Sequence, residues 1–400
     1  MSWRTLFKFE LRAIFTNPSI LFTVFGGVLI YSFLYPMPYA NQLPREQAIV
    51  VVNQDKTPLS RELERMVDAT PQVTIAVRAE SLAEARQRIN AGQAEGLLVI
   101  PPNFYRDLLL GKSPTLVYAG DAAYFLVYGT VVEGLASAGG TLAAKAKVSR
   151  MVMSGENLTL AAQQFTPIKL NAQPVFNPGM GYVNYVVPAV FVLILHQTLL
   201  IAVALLGGGQ NEYRLAGKTG YWLQYPAWQV VVVRGICFSL IYLPLVMYYF
   251  GFSFSYYHII RLANIWDLLA VTLPFLLAVI FLGMILGQLI PRRELATVVV
   301  LLSSLPLVFS AGFIWPPEAI PAPITALAQL IPSTPAINAF LRLNQMGADF
   351  HQVVGWWTQL WLQVAVYGGI AAAMMLSVKR QRKQQVRVAG STQHKNENSH

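Results

Sequence analysis

NYVVPAVFVLILHQTLLIAVALLGGGQ, residues 184–210, contains no Asp, Glu, Lys or Arg. A bilayer core of about 30 Å needs about 20 apolar helical residues to cross it, and this run supplies them. Stretches of the same kind lie at about 18–38 (PSILFTVFGGVLIYSFLYPMP), 226–250, 267–290, 295–315 and 354–378, which with 180–206 make six spans. Residues 39–178 differ in composition, with 13 Lys/Arg and 12 Asp/Glu, the charge density of a soluble domain. Over all 400 residues only 12% are charged, 55% are hydrophobic and the mean hydropathy is +0.47. An ordinary soluble domain carries about a quarter charged residues. The expected fold is therefore an α-helical polytopic membrane protein of six transmembrane helices with an inserted water-facing α/β domain. Global disorder is excluded, and the single cysteine, Cys237, excludes an intrachain disulfide framework and a multi-cysteine metal site.

A further uncharged stretch, Ala319 to Leu341, contains Pro321, Pro323, Pro332 and Pro335, with Pro316 and Pro317 just before it. Prolines at that density leave too many backbone groups unbonded for a lipid-exposed helix. Residues 316–350 read as a re-entrant or surface hairpin. Charge placement tests the count, because Lys and Arg beside short loops accumulate on the cytoplasmic side. The basic positions are Arg4, Lys8 and Arg12; Arg214 and Lys218; Arg292 and Arg293; and Lys379, Arg380, Arg382, Lys383 and Arg387. Six spans put all four groups on one face, with both termini cytoplasmic and residues 379–400 a basic cytoplasmic tail. The opposite loops carry Arg261 and Arg342 against Asp267, Glu318 and Asp349. The net charge of +10 thus reports topology and not nucleic-acid binding. A multi-pass membrane protein is expected, with the first span an uncleaved anchor.

Residues 1–17 read as a cytoplasmic amphipathic helix ending near Asn17-Pro18. Trp3, Leu6, Phe7, Leu11 and Ile14 share one face, and Arg4, Lys8 and Arg12 another. Glu10 falls among the apolar positions. One reading pairs it with a basic loop residue; the other has the helix contact a cytoplasmic partner.

In the inserted segment AIVVV (48–52), VTIAV (73–77), GLLVI (96–100) and TLVYAG (115–120) read as strands. Ser60 to Ala69, Ser81 to Asn90 and a short stretch to Leu110 read as helices, and Ala122 to Met153 as a long one. Ser81 with Glu84 forms a capping box, and Asp121 is expected at a helix N-cap. Strand–helix alternation points to an α/β domain. The segment has no histidine, no cysteine and no Gly-rich phosphate loop, so docking or gating is expected of it in preference to catalysis.

Catalytic patterns are missing. There is no HExxH and no GxSxG. Ala216-Gly217-Lys218-Thr219 imitates the end of a P-loop, but Glu212 stands where the first glycine belongs. The chain is expected to hold no metal and no cofactor and to be no enzyme. Polar groups within spans are the remaining candidates. Arg234 either snorkels to the interface or serves function; Asn184, His196 and Gln197 either bond to neighbouring helices or line a route for cargo. Pro188, Pro244, Pro274 and Pro306 give spans 2 to 5 one potential kink each.

The order of these parts resembles the type-2 permease family of ABC exporters. The external segment VVNQDKTPLSREL (51–63), EGLLVIPPNFYRDLLLGK (95–112) and VYAGDA (117–122) is similar to that of its drug-efflux (YhhJ-like) branch. So are NYVVPAVFVLILHQTLL (184–200), AGFIWPPEAIP (311–321) and LIPSTPAINAFLRLNQMGAD (330–349). Members often carry a Glu-x-Glu-Arg-Gly-Thr-like run where the ATPase docks; here the loop reads GGGQNEYRLAGKTGYWLQYP (207–226). Glu212, Arg214 and Lys218 are the candidate ATPase-coupling residues. The resemblance implies a homo- or heterodimer of permease subunits docked to a cytoplasmic ATPase that carries ATP and magnesium. It further implies location in the bacterial inner membrane with the inserted domain a periplasmic α/β domain, a periplasmic adaptor, an outer-membrane channel, and hydrophobic or amphiphilic cargo. The competing reading is a membrane-anchored scaffold or receptor with a ligand-binding periplasmic domain and no translocation.

Overall fold

A computed structural model of the chain describes residues 2–41, 43–155, 157–160 and 175–397, with side chains described as far as Gln381. The side chains of Arg382, Lys383 and Arg387 in the basic tail, and residues 161–174 of the inserted segment, lie outside the described residues. The chain divides into two compact units, Leu43–Gln173 and the remainder.

The smaller unit is built on four strands: β1 (Gln47–Asn53), β2 (Val73–Arg78), β3 (Gly96–Ile100) and β4 (Val117–Gly120). Their order is β2-β1-β3-β4, with β1 parallel to both neighbours and β4 antiparallel to β3. Helices α3 (Pro58–Asp68), α4 (Leu82–Asn90), α5 (Phe104–Leu109) and α6 (Phe125–Met153) complete it. The unbroken Val50-Val51-Val52 run follows from burial on both faces. Ile49 and Val51 pack with Leu63 and Val67 of α3 and Val131 and Leu135 of α6, whereas Val50 and Val52 pack with Ala85 of α4. Ser81 Oγ accepts from Glu84 N at 3.2 Å, as a cap should. Asp121 differs from its expected role: it accepts from Ala123 N at 2.8 Å in a turn, and Tyr124 stands at the N-cap of α6.

The larger unit begins with α1 (Trp3–Phe15) and α2 (Pro18–Tyr39). It continues with α7 (Tyr182–Leu215), α8 (Ala227–Tyr256), α9 (Ile265–Leu289), α10 (Glu294–Ser310), α11 (Ala322–Ala328), α12 (Ser333–Met346) and α13 (Phe350–Glu397). α7 is the central helix, buried along nearly its whole length and packed by α2, α9, α10 and α12. Pro244 removes a backbone donor within α8, and a π-helical turn, Tyr248–Ser253, follows it.

Among the described residues, six helices are long and apolar enough to cross a membrane: α2, α6, α7, α8, α9 and Phe350–Gln381 of α13. The sequence reading places α6 in the inserted segment and takes α10 as a span. α6 passes by length and composition, yet Val131, Leu135, Ala138 and Leu142 bury one face of it in the core of the smaller unit. α10 has 17 residues against the 295–315 expected. It stops because the chain bends after Ser310, with Gly312 at φ +84° and Pro316 and Pro317 beyond.

α11 and α12 are bent by 85° at their junction. That junction exposes carbonyls no helix satisfies, and α13 supplies donors. Gln359 Nε2 and Gln363 Nε2 each donate to Gln329 O at 2.9 Å, and Tyr367 donates to Leu330 O. These residues lie 9 to 17 positions into α13, about 14–25 Å along it at the helical rise, so the hairpin's apex meets α13 well beyond its first turns. Replacing both Gln359 and Gln363 with leucine is expected to lower stability by about 1–3 kcal/mol by stranding the Gln329 carbonyl. Either single change should be much milder, because the other amide still donates. Thermal unfolding of detergent-solubilised protein measures both.

Candidate functional site

The basic positions converge on one end of the larger unit, which we call the basic end. α1 packs on α8 there. Glu212, in the last turns of α7, accepts from Arg293 N at 2.8 Å, and Lys379 of α13 donates to Tyr225 O in the α7–α8 turn. Asn211 Nδ2 donates to the carbonyls of Gly287, Gln288 and Ile290 at 2.9–3.2 Å, which satisfies the last turn of α9. The opposite end is joined by Tyr185 Oη to Phe313 O at 2.7 Å and Leu262 N to Asn344 O at 2.9 Å.

α1 carries a buried stripe of Leu6, Glu10 and Ile14, spaced i, i+4, i+8, with Arg4, Lys8 and Arg12 exposed. Glu10 at the centre of that stripe is fully buried, and so is Arg234 of α8, which meets it. Arg234 Nη2 donates to Glu10 Oε1 at 2.9 Å and Nε to Oε2 at 3.1 Å, a two-pronged pair. The same Nη2 donates to Gln210 Oε1 of α7 at 3.1 Å, and Gln210 Nε2 lies 3.4 Å from Tyr221 Oη in the following turn. Burial, with the Glu10 carboxylate next, pushes the Tyr221 hydroxyl above its ordinary range. Rings fasten the rim: Trp3 meets Trp228 edge-on at 5.2 Å and Phe9 stacks on Tyr221 at 5.6 Å. One ion pair thereby joins α1, α7, α8 and the α7–α8 turn.

This overturns two readings from sequence. Arg234 does not snorkel; it is 1% exposed and neutralised inside the protein. The cation that Glu10 meets is not on a loop but 224 residues away on a helix, α8. Burying two charges is tolerable only with matched geometry and further hydrogen bonds, and the bidentate contact plus Gln210 meets both conditions.

The stretch expected as a loop at 207–226 is mostly helix. α7 runs to Leu215, and Gly217 at φ +76° ends it, with Lys218 N returning to Tyr213 O at 3.1 Å. The glycines serve packing: a Cβ on Gly207 would lie 2.9 Å from Gly287 Cα of α9, and one on Gly208 2.9 Å from Arg293 Cα. Close backbone approach overrides the poor helix propensity of three glycines.

Of the coupling candidates, Glu212 accepts from the backbone of Arg293 just before α10, Lys218 lies 5.5 Å from the centre of the Tyr213 ring, and Arg214 lines a small cavity with Gln210, Trp222 and Gln288. The α7 candidates do not come together. Asn184 Oδ1 accepts from Ile260 N at 3.4 Å at the opposite end, and Gln197 Nε2 donates to Ser304 Oγ of α10 at 2.7 Å. His196 is fully buried, with neither ring nitrogen hydrogen-bonded among the described residues. Gln210 and Tyr221 escaped the sequence reading, which used Arg293 only as a marker of topology. Glu10 signalled itself, as a carboxylate where the helical period demands an apolar residue.

A bundle of long apolar helices with a buried ion pair defines a polytopic helical membrane protein. The family model described as ABC-2 family transporter protein matches residues 18–373. The chain belongs to that family, whose members are membrane permeases, transport subunits that work with an ATPase partner. Comparison with curated proteins gives no match.

Proposed function

We propose that the chain is the permease subunit of an ATP-driven exporter that moves hydrophobic or amphiphilic compounds out across the bacterial inner membrane. The observation carrying this reading is the buried Glu10–Arg234 pair. It fastens α1, whose exposed face bears Arg4, Lys8 and Arg12, to two long helices and the turn between them. A force applied to α1 by a soluble partner therefore reaches α7 and α8 through a rigid, desolvated link. In this reading the basic end faces the cytoplasm and docks the ATPase, which carries ATP and magnesium. Both termini are cytoplasmic, and the unit at Leu43–Gln173 lies in the periplasm, where an adaptor leading to an outer-membrane channel would meet it. A second permease subunit completes the transporter.

The family's dependence on an ATPase supports this reading over a scaffold or receptor without translocation. Affinity purification of the full chain should bring down an ATP-binding subunit, and inactivating that subunit's hydrolysis should abolish efflux while this chain still accumulates in the membrane. Unchanged efflux would refute an ATP-driven exporter. A carboxyl-terminal reporter active only outside the cytoplasm would refute the orientation.

A further inference from the structure

β1 and β2 are parallel, and beyond their carboxyl ends, at Asn53 and Arg78, lies a crevice. Here that crevice is a cavity of about 420 Å³ whose lining includes four cations, Lys56, Arg61, Arg65 and Arg78, and two carboxylates, Glu64 and Glu80, a net charge of 4 − 2 = +2.

The walls are fixed. Asn53 Oδ1 accepts from Asp55 N at 3.1 Å and Lys56 N at 2.9 Å, and its Nδ2 donates to Glu64 Oε1 at 2.7 Å and Ser60 Oγ at 3.0 Å. The turn thus built holds Lys56 at φ +55°, a left-handed conformation uncommon outside glycine. Asp55 pins the same turn by accepting from Thr57 Oγ1 and, at 3.3 Å, from Tyr105 N. The start of α3 follows directly, with the positive end of its dipole on this side.

Both carboxylates are already engaged. Glu64, nearly buried, takes Arg78 Nε at 2.8 Å, and Glu80 takes Lys56 Nζ at 2.6 Å. That leaves Arg61 and Arg65, one turn apart on the same face of α3. Neither has a carboxylate within ion-pair distance among the described residues, and Arg61 donates only to Lys56 O, at 3.2 Å. Like charges at i, i+4 repel, so a surface selected for stability alone would not place them over a crevice that is already positive.

We propose that this cavity binds an organic phosphate, with the Arg61 and Arg65 guanidiniums gripping the phosphate oxygens. Guanidinium forks match phosphate geometry, two donors to two oxygens. The volume falls in the range of small-molecule sites and leaves room for an organic body beside the phosphate. Glu64 and Asn53 hold Arg78 and the turn in position. The phosphate belongs either to a soluble metabolite or to a lipid headgroup. The site stands on the smaller unit alone and is independent of the transport reading.

The test is calorimetric titration of the full-length protein in detergent with glycerol 3-phosphate. Saturable binding is expected, weakened at least tenfold in the double variant Arg61→Gln, Arg65→Gln and unchanged in Arg86→Gln, a surface arginine of α4 that does not line the cavity. Both replaced side chains are exposed, so the melting temperature should hold, and that measurement separates lost binding from lost folding. Repeating the titration in phosphatidylglycerol and phosphatidylcholine nanodiscs separates the sources. Competition by phosphatidylglycerol assigns the site to a headgroup; equal binding in both assigns it to a solute. No saturable binding at millimolar probe, or a well-folded double variant that binds like the parent, overturns the proposal.

Discussion

Replacing Glu10 with alanine is expected to destabilise the protein by about 3–5 kcal/mol, the cost of leaving a buried guanidinium without its counter-charge. The magnitude follows from position. Arg234 is 1% exposed and is held by Gln210 besides Glu10, so water cannot replace the carboxylate without opening the α1–α8 contact. Glu10→Gln keeps the shape and loses the charge, and should fall between. The informative variant is the double replacement Glu10→Leu, Arg234→Met. Swapping a whole buried pair for apolar residues is often neutral or stabilising, so the melting temperature should recover. If the pair couples α1 to the bundle by charge and geometry, the double variant is stable but impaired in efflux. A double variant that is both stable and fully active would show that the pair is structural only. Melting curves in detergent and efflux in cells give the two readouts.

The second large effect concerns Gly287. A Cβ there would sit 2.9 Å from Gly207 Cα and 3.0 Å from Ala204 O. Both obstacles are backbone, so no side chain can rotate away, and α7 and α9 must separate. Gly287→Ala should cost at least the 1–3 kcal/mol typical of overpacking. It would also pull the α9 carbonyls away from Asn211. Gly287→Val is expected to prevent accumulation of folded protein. Gly209 supplies the contrast. It lies two residues beyond Gly207 in α7, yet nothing stands within 4 Å of an added Cβ. Gly209→Ala should therefore be neutral or stabilising by up to about 1 kcal/mol from helix propensity. Equal losses at Gly287 and Gly209 would refute the close-approach account.

The strands were legible because β-branched runs such as Ile49–Val52 stand between turn residues, a local signal. α7, α8 and α9 were legible because lipid-length apolar runs admit few other structures. Three things were not. α10 ends at Ser310, short of the expected 315, because hydropathy records how apolar a segment is and not where the chain bends. The glycines at 207–209 read as loop because local propensity knows nothing of Gly287 across the helix pair. The Glu10–Arg234 pair joins residues 224 positions apart. Only the oddity of a carboxylate in an apolar stripe pointed to it, with no indication of its partner. Of the polar residues singled out on α7, Asn184 and Gln197 hold neighbouring segments, and that could not be read without knowing which helix faces which.

The packing of α6 on its sheet bears on biogenesis. α6 is apolar enough to be taken up by lipid, and if it were, every later helix would enter with reversed polarity. All four strands precede it in the chain, so the surface that shelters Val131, Leu135, Ala138 and Leu142 has already been synthesised when α6 emerges. Translation order thus lets a folded sheet compete with the bilayer for the same helix, and the outcome of that competition sets the handedness of everything downstream.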